Sequence, residues 1–186
     1  MLASFFREGL VVANEVIKQR AAVLVENLTK WGSTQVVVTN NDPSHFQSLP
    51  GYFDVMVIDA PCSGSGTWRR NPDRKWHFTP EELDRLIKVQ SALIGQGARV
   101  IKPGGRLIYA VCSFLNEEGP DRVHEFLKLN PDFEILPGSS VWQEALQVPY
   151  PKDDPFLRLS PGMNNTDGFF IAILKRKEAA GADESA

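Results

Sequence analysis

The chain has 186 residues, of which 42% are hydrophobic and 23% are charged, and this length predicts one compact domain and excludes two large ones. No apolar run approaches the roughly 18 residues of a membrane span, and no basic residue precedes the short apolar stretch at the N-terminus. We therefore expect a cytoplasmic protein without a membrane partner. Because 20 basic residues stand against 23 acidic ones, a nucleic acid would have to bind at a local basic patch.

Cysteine and histidine usage limits the possible chemistry. Cys62 and Cys112 are the two cysteines of the chain, too few for a disulfide framework, so we expect free thiols in a reducing compartment. His45, His77 and His124 lack the spacing of metal ligands, and we expect no metal.

Strand and helix patterns alternate along the chain. Predicted strands cover residues 10–13, 35–39, 54–59, 106–112 and 133–136. Predicted helices cover 17–31, 80–101 and 117–129, and Thr79-Pro-Glu-Glu82 supplies a capping box for the second of them. This alternation predicts an α/β fold with a mostly parallel sheet and helices on both faces.

The remaining segments are predicted as loops, a hairpin and a tail. Residues 60–78 read as a glycine-rich, basic loop, and residues 137–155 as mostly loop. Residues 156–159 and 169–174 are separated by a Gly/Asn-rich turn and are predicted to pair as an antiparallel hairpin. The low-complexity segment 178–186 predicts a disordered tail, which leaves 1–177 as the folded domain.

Two acidic residues follow the first and second predicted strands. In parallel sheets ligands bind at the carboxyl ends of the strands. Glu15 suits the hydroxyls of a ribose, although a glutamate is also favourable at any helix N-terminus. Asp42 could accept from the amino group of an adenine or form an Asx turn ahead of Pro43. The residues alone leave both alternatives open.

The run Asp59-Ala-Pro-Cys-Ser-Gly-Ser-Gly66 is the most informative part of the sequence. An acid ends a predicted buried strand, a thiol follows it, and two glycines allow close backbone approach to a ligand. The run lacks the third glycine of a dinucleotide-binding fingerprint. A free cysteine is usually a small buried apolar residue. Here Cys62 and Cys112 each follow a predicted strand and precede a serine, which favours a functional pair.

Five segments together resemble the motifs of the RsmB-like (Sun/Fmu/Nop) RNA cytosine-C5 methyltransferases, over nearly the whole chain from about Gly9 to Lys175. They are Asp59–Gly66, Trp68–Trp76, Lys102–Tyr109, Cys112-Ser113 with Glu117-Glu118, and Asp167–Ala172. The resemblance implies a class I methyltransferase (Rossmann-like) fold and S-adenosyl-L-methionine as cofactor. It also implies RNA as substrate, with ribosomal RNA favoured over transfer RNA.

The resemblance assigns roles to individual residues. Cys112 corresponds to the nucleophile and Cys62 to the cysteine that assists product release. Asp59 corresponds to the family's acid at the end of a strand of the active site, where it serves both the target cytosine and the cofactor. Glu15 corresponds to the ribose acid and Asp42 to the acid on the adenine side of the cofactor.

Four cations lie between Trp68 and Trp76 in the predicted basic loop. They are Arg69, Arg70, Arg74 and Lys75. Cations beside aromatic rings suit phosphates and bases of single-stranded RNA, and the alternative is a solvated loop with packed tryptophans.

The resembling enzymes have a strand and a glycine-rich cofactor loop before the segment that matches Glu15. Residues 2–6 look like the end of the helix that follows that loop, so the sequence predicts that this first strand and loop are missing. The sheet would then be open between residues 10–14 and 54–59, which favours pairing with another chain.

Two alternatives stay open from the sequence. One is an inactive or partner-complemented RNA-binding fragment of such an enzyme. The other is a DNA cytosine methyltransferase, whose nucleophile also follows a proline, as Cys62 does.

Overall fold

The computed structural model describes residues 9–32, 34–150 and 154–178. It contains two compact units, Met1–Ser48 and Leu49–Ala186. The predictions for residues 2–6 and for the tail beyond Glu178 lie outside the described residues. Within the described part of the chain, no helix has the length and apolarity needed to cross a bilayer.

The described part of the first unit, residues 9–32 and 34–48, contains a two-stranded parallel sheet and one long helix. Strands β1 (Val11–Asn14) and β2 (Val36–Thr39) pair in parallel, and α1 (Lys18–Trp31) connects them. Gly32 ends α1 in the left-handed conformation with φ 70, a conformation that glycine adopts without steric cost. The predicted helix stop is therefore confirmed. A 3₁₀ turn, Pro43–Ser48, follows β2 where the sequence predicted only a loop.

The described part of the second unit contains a five-stranded sheet. Its strands are β3 (Phe53–Asp59), β4 (Ile101–Val111), β5 (Phe133–Ile135), β6 (Leu157–Leu159) and β7 (Phe169–Arg176). Strand β4 runs parallel to β3, whereas β7 is antiparallel to β4, β5 and β6. Four strands thus share one direction, and the predicted mostly parallel sheet with a C-terminal antiparallel hairpin is confirmed. The expected pairing with another chain stays a prediction.

Among the residues described in this unit, five helices accompany the sheet. They are α2 (Pro72–His77), α3 (Pro80–Val100), α4 (Pro120–Leu129), α5 (Gly138–Leu146) and α6 (Pro161–Asn164). One half of the predicted capping box of α3 is present, because the Glu82 N–H donates to Thr79 Oγ1 at 3.3 Å, whereas the Glu82 carboxylate accepts from Arg85. Proline at the first helical position costs no hydrogen bond there, and four of the five helices begin with one.

The core of the second unit lies between the sheet and helices α3 and α4. Its fully buried members include Ile94, Leu107, Val111, Val123 and Leu174. Each such side chain contributes about 1.5–3 kcal/mol through burial. Helix α3 approaches β3 and β4 closely at Gly97, where a Cβ would lie 2.9 Å from Ile58 Cδ1. The close packing at Gly97 holds α3 against both strands.

Three sequence predictions were wrong in detail. Strand β4 begins at Ile101 rather than at 106, because Ile101 pairs with Phe53 before an irregular register leads to the Val55–Arg106 pair. Helix α5 lies inside 137–155, where the sequence predicted mostly loop, because its Gly-Ser-Ser start has weak helix propensity. Helix α2 lies inside the predicted loop 60–78.

Candidate active site at the two cysteines

The two cysteines follow adjacent parallel strands. Asp59, the last residue of β3, pairs with Ala110 near the end of β4, so both strands end at the same edge of the sheet. Cys112 comes directly after β4, and Cys62 comes three residues after β3. Their Sγ atoms lie 3.2 Å apart, and both thiols are free. The structure therefore brings together the two residues that the sequence singled out.

The hydrogen bond between the thiols makes them chemically unequal. Because Cys62 can donate to the sulfur of Cys112, the pKa of Cys112 is lowered from its ordinary 9.0 to about 7. The same hydrogen bond, together with burial, raises the pKa of Cys62. Near neutral pH Cys112 is therefore the thiol of the pair that ionises more readily, and Cys62 is the one that keeps its proton.

Asp59 is exposed at the end of β3. Its negative charge is one of the groups that raise the pKa of Cys112, opposing the hydrogen bond from Cys62. Among the described residues its carboxylate makes no hydrogen bond or ion pair. Asp59 is thus available to a ligand beside the thiolate.

A buried glutamate connects the loops that carry the two cysteines. Glu118 Oε1 accepts from the Ser63 N–H at 2.8 Å and from Gln90 Nε2 at 3.1 Å. Its Oε2 accepts from Ser63 Oγ and from Ser113 Oγ, each at 2.5 Å. One carboxylate thus binds the residue directly after each cysteine.

Glycines fix the backbone of the Cys62 loop. The Gly66 N–H donates to the Cys112 carbonyl at 3.1 Å, and the Gly168 N–H donates to the Gly66 carbonyl at 2.9 Å. A Cβ on Gly66 would collide with the carbonyl of Gly168. Glycine is required at position 66 because two backbones approach each other there.

Glu15 and Asp42 lie in the first unit, after β1 and β2. Glu15 Oε1 accepts from the Ile17 N–H at 3.0 Å, and its Oε2 forms an ion pair with Arg20 Nε at 3.1 Å. Asp42 Oδ1 accepts from the Ser44 N–H at 2.9 Å, which is the Asx turn of the sequence analysis. The Ser44 hydroxyl and N–H lower the pKa of Asp42. Each carboxylate has a local partner, and its assignment to a cofactor stays a prediction.

The four cations of the basic segment are all exposed. Helix α2 carries Arg74, Lys75 and Trp76, and the Trp76 side chain is 79% exposed. Lys75 Nζ lies 5.9 Å from the centroid of the Trp76 ring. An exposed aromatic ring beside cations provides a surface on which a base can stack.

Other members of the basic segment have structural contacts. Trp68 packs on Phe78 with ring centroids 5.9 Å apart, as the alternative of packed tryptophans predicted. Arg70 Nε donates to Asp167 Oδ1 at 3.1 Å and forms an ion pair with that carboxylate. The segment therefore combines one packed tryptophan with one exposed tryptophan.

The sequence analysis gave no role to Glu118 or Gln90. Glu118 appeared only within a motif, and nothing local distinguishes it from its exposed neighbour Glu117. The sequence does contain a pattern that indicates burial of Gln90, because this residue lies at helical spacing between Leu86 and Ile94 on the apolar face of α3. A polar residue on such a face needs a buried partner, which here is Glu118.

A family model and several curated proteins match most of this chain. The family model described as 16S rRNA methyltransferase RsmB/F matches residues 1–175. Among curated proteins, ribosomal RNA small subunit methyltransferase F of Escherichia coli O7:K1 is 34% identical over 184 residues, which cover 92% of this chain and 36% of that protein. The chain thus spans little more than a third of the length of the curated relatives it matches.

Two solved structures show the same fold. A methyltransferase homolog protein from Pyrococcus horikoshii has a TM-score of 0.75 and 29% identity, covering 94% of this chain and 56% of that one. NSun6 from the same organism, solved with the S-adenosylmethionine analogue SFG, has a TM-score of 0.78 and 23% identity, covering 94% and 44%. The fold is that of the Rossmann-like methyltransferases.

Proposed function

The chain belongs to the RsmB/F family of 16S rRNA methyltransferases, and on that premise we propose that it methylates carbon 5 of a cytosine in RNA. The observation that carries the proposal is the 3.2 Å contact between the Cys62 and Cys112 sulfurs, with the pKa of Cys112 lowered to about 7. Covalent catalysis requires a nucleophile that is ionised near neutral pH. We expect the reaction to take place in the cytoplasm.

Cys112 is the nucleophile of the proposed reaction. Its thiolate forms a bond to carbon 6 of the cytosine, and the electrons of the 5,6 double bond then make carbon 5 nucleophilic. S-adenosyl-L-methionine, when bound, would supply the methyl group for carbon 5 and would remain as S-adenosylhomocysteine. After a base removes the proton from carbon 5, the bond between carbon 6 and sulfur breaks and Cys112 leaves as a thiolate.

Cys62 and Asp59 support these steps. Cys62 keeps its proton and donates to the Cys112 sulfur, which stabilises that sulfur as leaving group when the product is released. Asp59 is exposed beside the thiolate and stabilises the adduct by hydrogen bonding or proton donation at the N3/N4 edge of the cytosine.

The carboxylates after the parallel strands have the chemistry that this cofactor requires. A carboxylate accepts hydrogen bonds from both hydroxyls of a ribose or from an exocyclic amino group. We assign Glu15 to the ribose and Asp42 to the adenine side, and Asp59 to the cofactor as well as to the base. In the described part of the chain no cluster of three or more metal-ligating side chains occurs.

RNA is the proposed substrate, and ribosomal RNA is favoured. A cytosine inside a helix cannot reach Cys112, so the target must be single-stranded or flipped out. The exposed cations Arg69, Arg70, Arg74 and Lys75 suit the backbone beside the target, and Trp76 suits stacking of a neighbouring base.

Trapping with 5-fluorocytosine tests the proposal. The full chain is incubated with labelled S-adenosylmethionine and RNA containing 5-fluorocytosine, whose carbon 5 cannot lose fluorine as a cation. We expect a covalent adduct that survives denaturation and carries label in the wild type and in Cys62→Ala. The proposal is wrong if the wild type gives no adduct or if the adduct persists in Cys112→Ala.

The same experiment separates the alternatives. A DNA-type cytosine methyltransferase requires Cys62→Ala, and not Cys112→Ala, to abolish the adduct. A non-catalytic RNA-binding fragment binds RNA without forming an adduct and shows no heat of binding with S-adenosylmethionine in calorimetry.

A further inference from the structure

We propose that Glu118 is a positioning residue that holds the two cysteine-bearing loops together and thereby sets the contact between their sulfurs. The proposal rests on the proposed function, because the sulfur contact matters only if Cys112 is a nucleophile. Glu118 itself touches neither sulfur in the interactions described above. It acts through Ser63 and Ser113, the residues that directly follow the cysteines.

Glu118 is fully buried, at 0% exposure, and all four of its carboxylate contacts are hydrogen bonds that it accepts. Burial of a carboxylate is costly unless hydrogen bonds replace those it made to water. No cation is paired with Glu118 among the described residues. Two hydroxyls, a backbone N–H and an amide replace that water here, so the cost of burial is offset only while both loops stay in place.

The hydroxyl groups form a directed chain that ends on the glutamate. Ser113 Oγ donates to Glu118, so it must accept from Ser65 Oγ, which lies 3.0 Å away. Ser65 Oγ in turn accepts from the Phe114 N–H at 2.8 Å. The side chains of Ser65 and Ser113 therefore link the loop after β3 to the loop after β4, in addition to the backbone bond between Gly66 and Cys112. Glu118 is the acceptor that sets the direction of this chain of hydroxyls.

The backbone of Glu118 is held by core residues. The Tyr109 hydroxyl donates to the Glu118 carbonyl at 2.6 Å, and Tyr109 is fully buried in β4. Gln90 Nε2 contacts both Glu118 Oε1 and, at 2.9 Å, the Pro61 carbonyl. The Glu118 backbone is thus held by β4 and its carboxylate by α3. Both loops are therefore bound to a carboxylate whose own position is fixed.

A sulfur contact of 3.2 Å is sensitive to small loop movements. A shift of about 1 Å would remove a hydrogen bond between thiols, since these bonds weaken steeply with distance and angle. Without the donor the Cys112 thiolate loses its main stabilisation. Loss of the Glu118 contacts should therefore appear as lower reactivity of Cys112, even in a folded protein.

Alkylation of the full chain by iodoacetamide, followed at each cysteine by mass spectrometry across a pH series, tests the proposal. In Glu118→Ala we expect the rate at Cys112 at pH 7 to fall about tenfold and its pH profile to move to higher pH. Glu117→Ala is the matched control, because Glu117 is an exposed neighbour, and its profile should equal that of the wild type.

The conservative variant separates positioning from simple support of the fold. In Glu118→Gln the amide oxygen can accept from Ser63 N–H and Gln90, and the amide N–H groups can donate to the two hydroxyls after these rotate. We expect the alkylation rate at Cys112 in Glu118→Gln to stay within about threefold of the wild-type rate. Its pH profile should be unchanged or should move slightly to lower pH, because the charge of Glu118 raises the pKa of Cys112 and this variant removes that charge.

If Glu118→Ala does not fold, Ser63→Ala decides the matter, because it removes one hydroxyl donor and leaves the carboxylate in place. We expect an intermediate loss of Cys112 reactivity. The proposal is overturned if a folded Glu118→Ala, or Ser63→Ala in its place, keeps the wild-type profile. Alkylation needs neither RNA nor cofactor, so this failure differs from failure of the proposed function, which shows as a missing 5-fluorocytosine adduct.

Discussion

Cys62 and Cys112 are separated by 50 residues in the sequence, yet their Sγ atoms lie 3.2 Å apart at the carboxyl ends of two parallel strands. The parallel pairing of β3 and β4 brings both strand ends to one edge, and the loops after them turn toward each other. One cysteine then acts as hydrogen-bond donor to the other, which gives two chemically equal side chains different roles.

The reactivity of Cys112 should rise with pH through about 7, because the thiolate is the nucleophile and its pKa is lowered to that value. Cys62→Ala removes the hydrogen-bond donor, so the profile of Cys112 should move to higher pH and the rate at pH 7 should fall about tenfold. Alkylation rates across a pH series measure both. Equal profiles for the wild type and Cys62→Ala would contradict the assignment of Cys62 as donor.

Asp59→Asn should abolish formation of the covalent adduct while leaving the stability of the fold almost unchanged. Asp59 is exposed and has no partner in the described part of the chain, so the free energy of unfolding should change by less than about 0.5 kcal/mol. The adduct with 5-fluorocytosine RNA should be lost. The alkylation profile of Cys112 should move to lower pH, because the Asp59 charge raises the pKa of that thiol. A shift to higher pH would be inconsistent with this electrostatic relationship.

Gly66→Ala should destabilise the protein by about 1–3 kcal/mol, because the added Cβ collides with the backbone at Gly168. Gly95→Ala is the matched control. No atom lies within 4 Å of a Cβ there, and alanine in the interior of α3 should stabilise the protein by about 0.5–1 kcal/mol. Urea unfolding measures both, and equal effects of the two substitutions would refute the close approach at Gly66.

Trp76→Ala should weaken binding of single-stranded RNA by about 1–3 kcal/mol, the range for loss of one stacked base. Its side chain is 79% exposed, so folding should be unaffected. Leu129→Ala is the control, since Leu129 is a large apolar side chain that is 81% exposed and lies at the end of α4. Fluorescence anisotropy with a labelled oligoribonucleotide measures the affinity. Equal losses in both variants would mean that Trp76 does not stack on a base.

Glu15→Gln should weaken binding of S-adenosylmethionine at least tenfold, because an amide cannot accept from both ribose hydroxyls as a carboxylate does. Glu26→Gln is the control within the same unit. It removes a charge that is paired with Lys30 on the surface of α1, and it should leave the affinity unchanged. Calorimetry with S-adenosylmethionine provides the measurement, and wild-type affinity in Glu15→Gln would rule out the ribose assignment.

Much of the fold could be predicted because its signals are local. The N-cap at Thr79 and the glycine stop at Gly32 each depend on residues within a few positions of each other, and the hairpin joins two neighbouring strands, β6 and β7. The early start of β4 could not be read in this way. Ile101 extends the strand because it pairs with Phe53, which lies far away in the sequence.

The sequence by itself determined the strand-end placement of both cysteines, the alternation of strands and helices, and the family resemblance, because composition and motif order are properties of the chain alone. Only the tertiary structure decided that the sulfurs touch, that the pKa of Cys112 is lowered while that of Cys62 is raised, and that Glu118 is buried while Glu117 is exposed. The physical reason is that distance, burial and electrostatic environment arise between distant segments, and these segments meet only after β3, β4 and α3 have packed together.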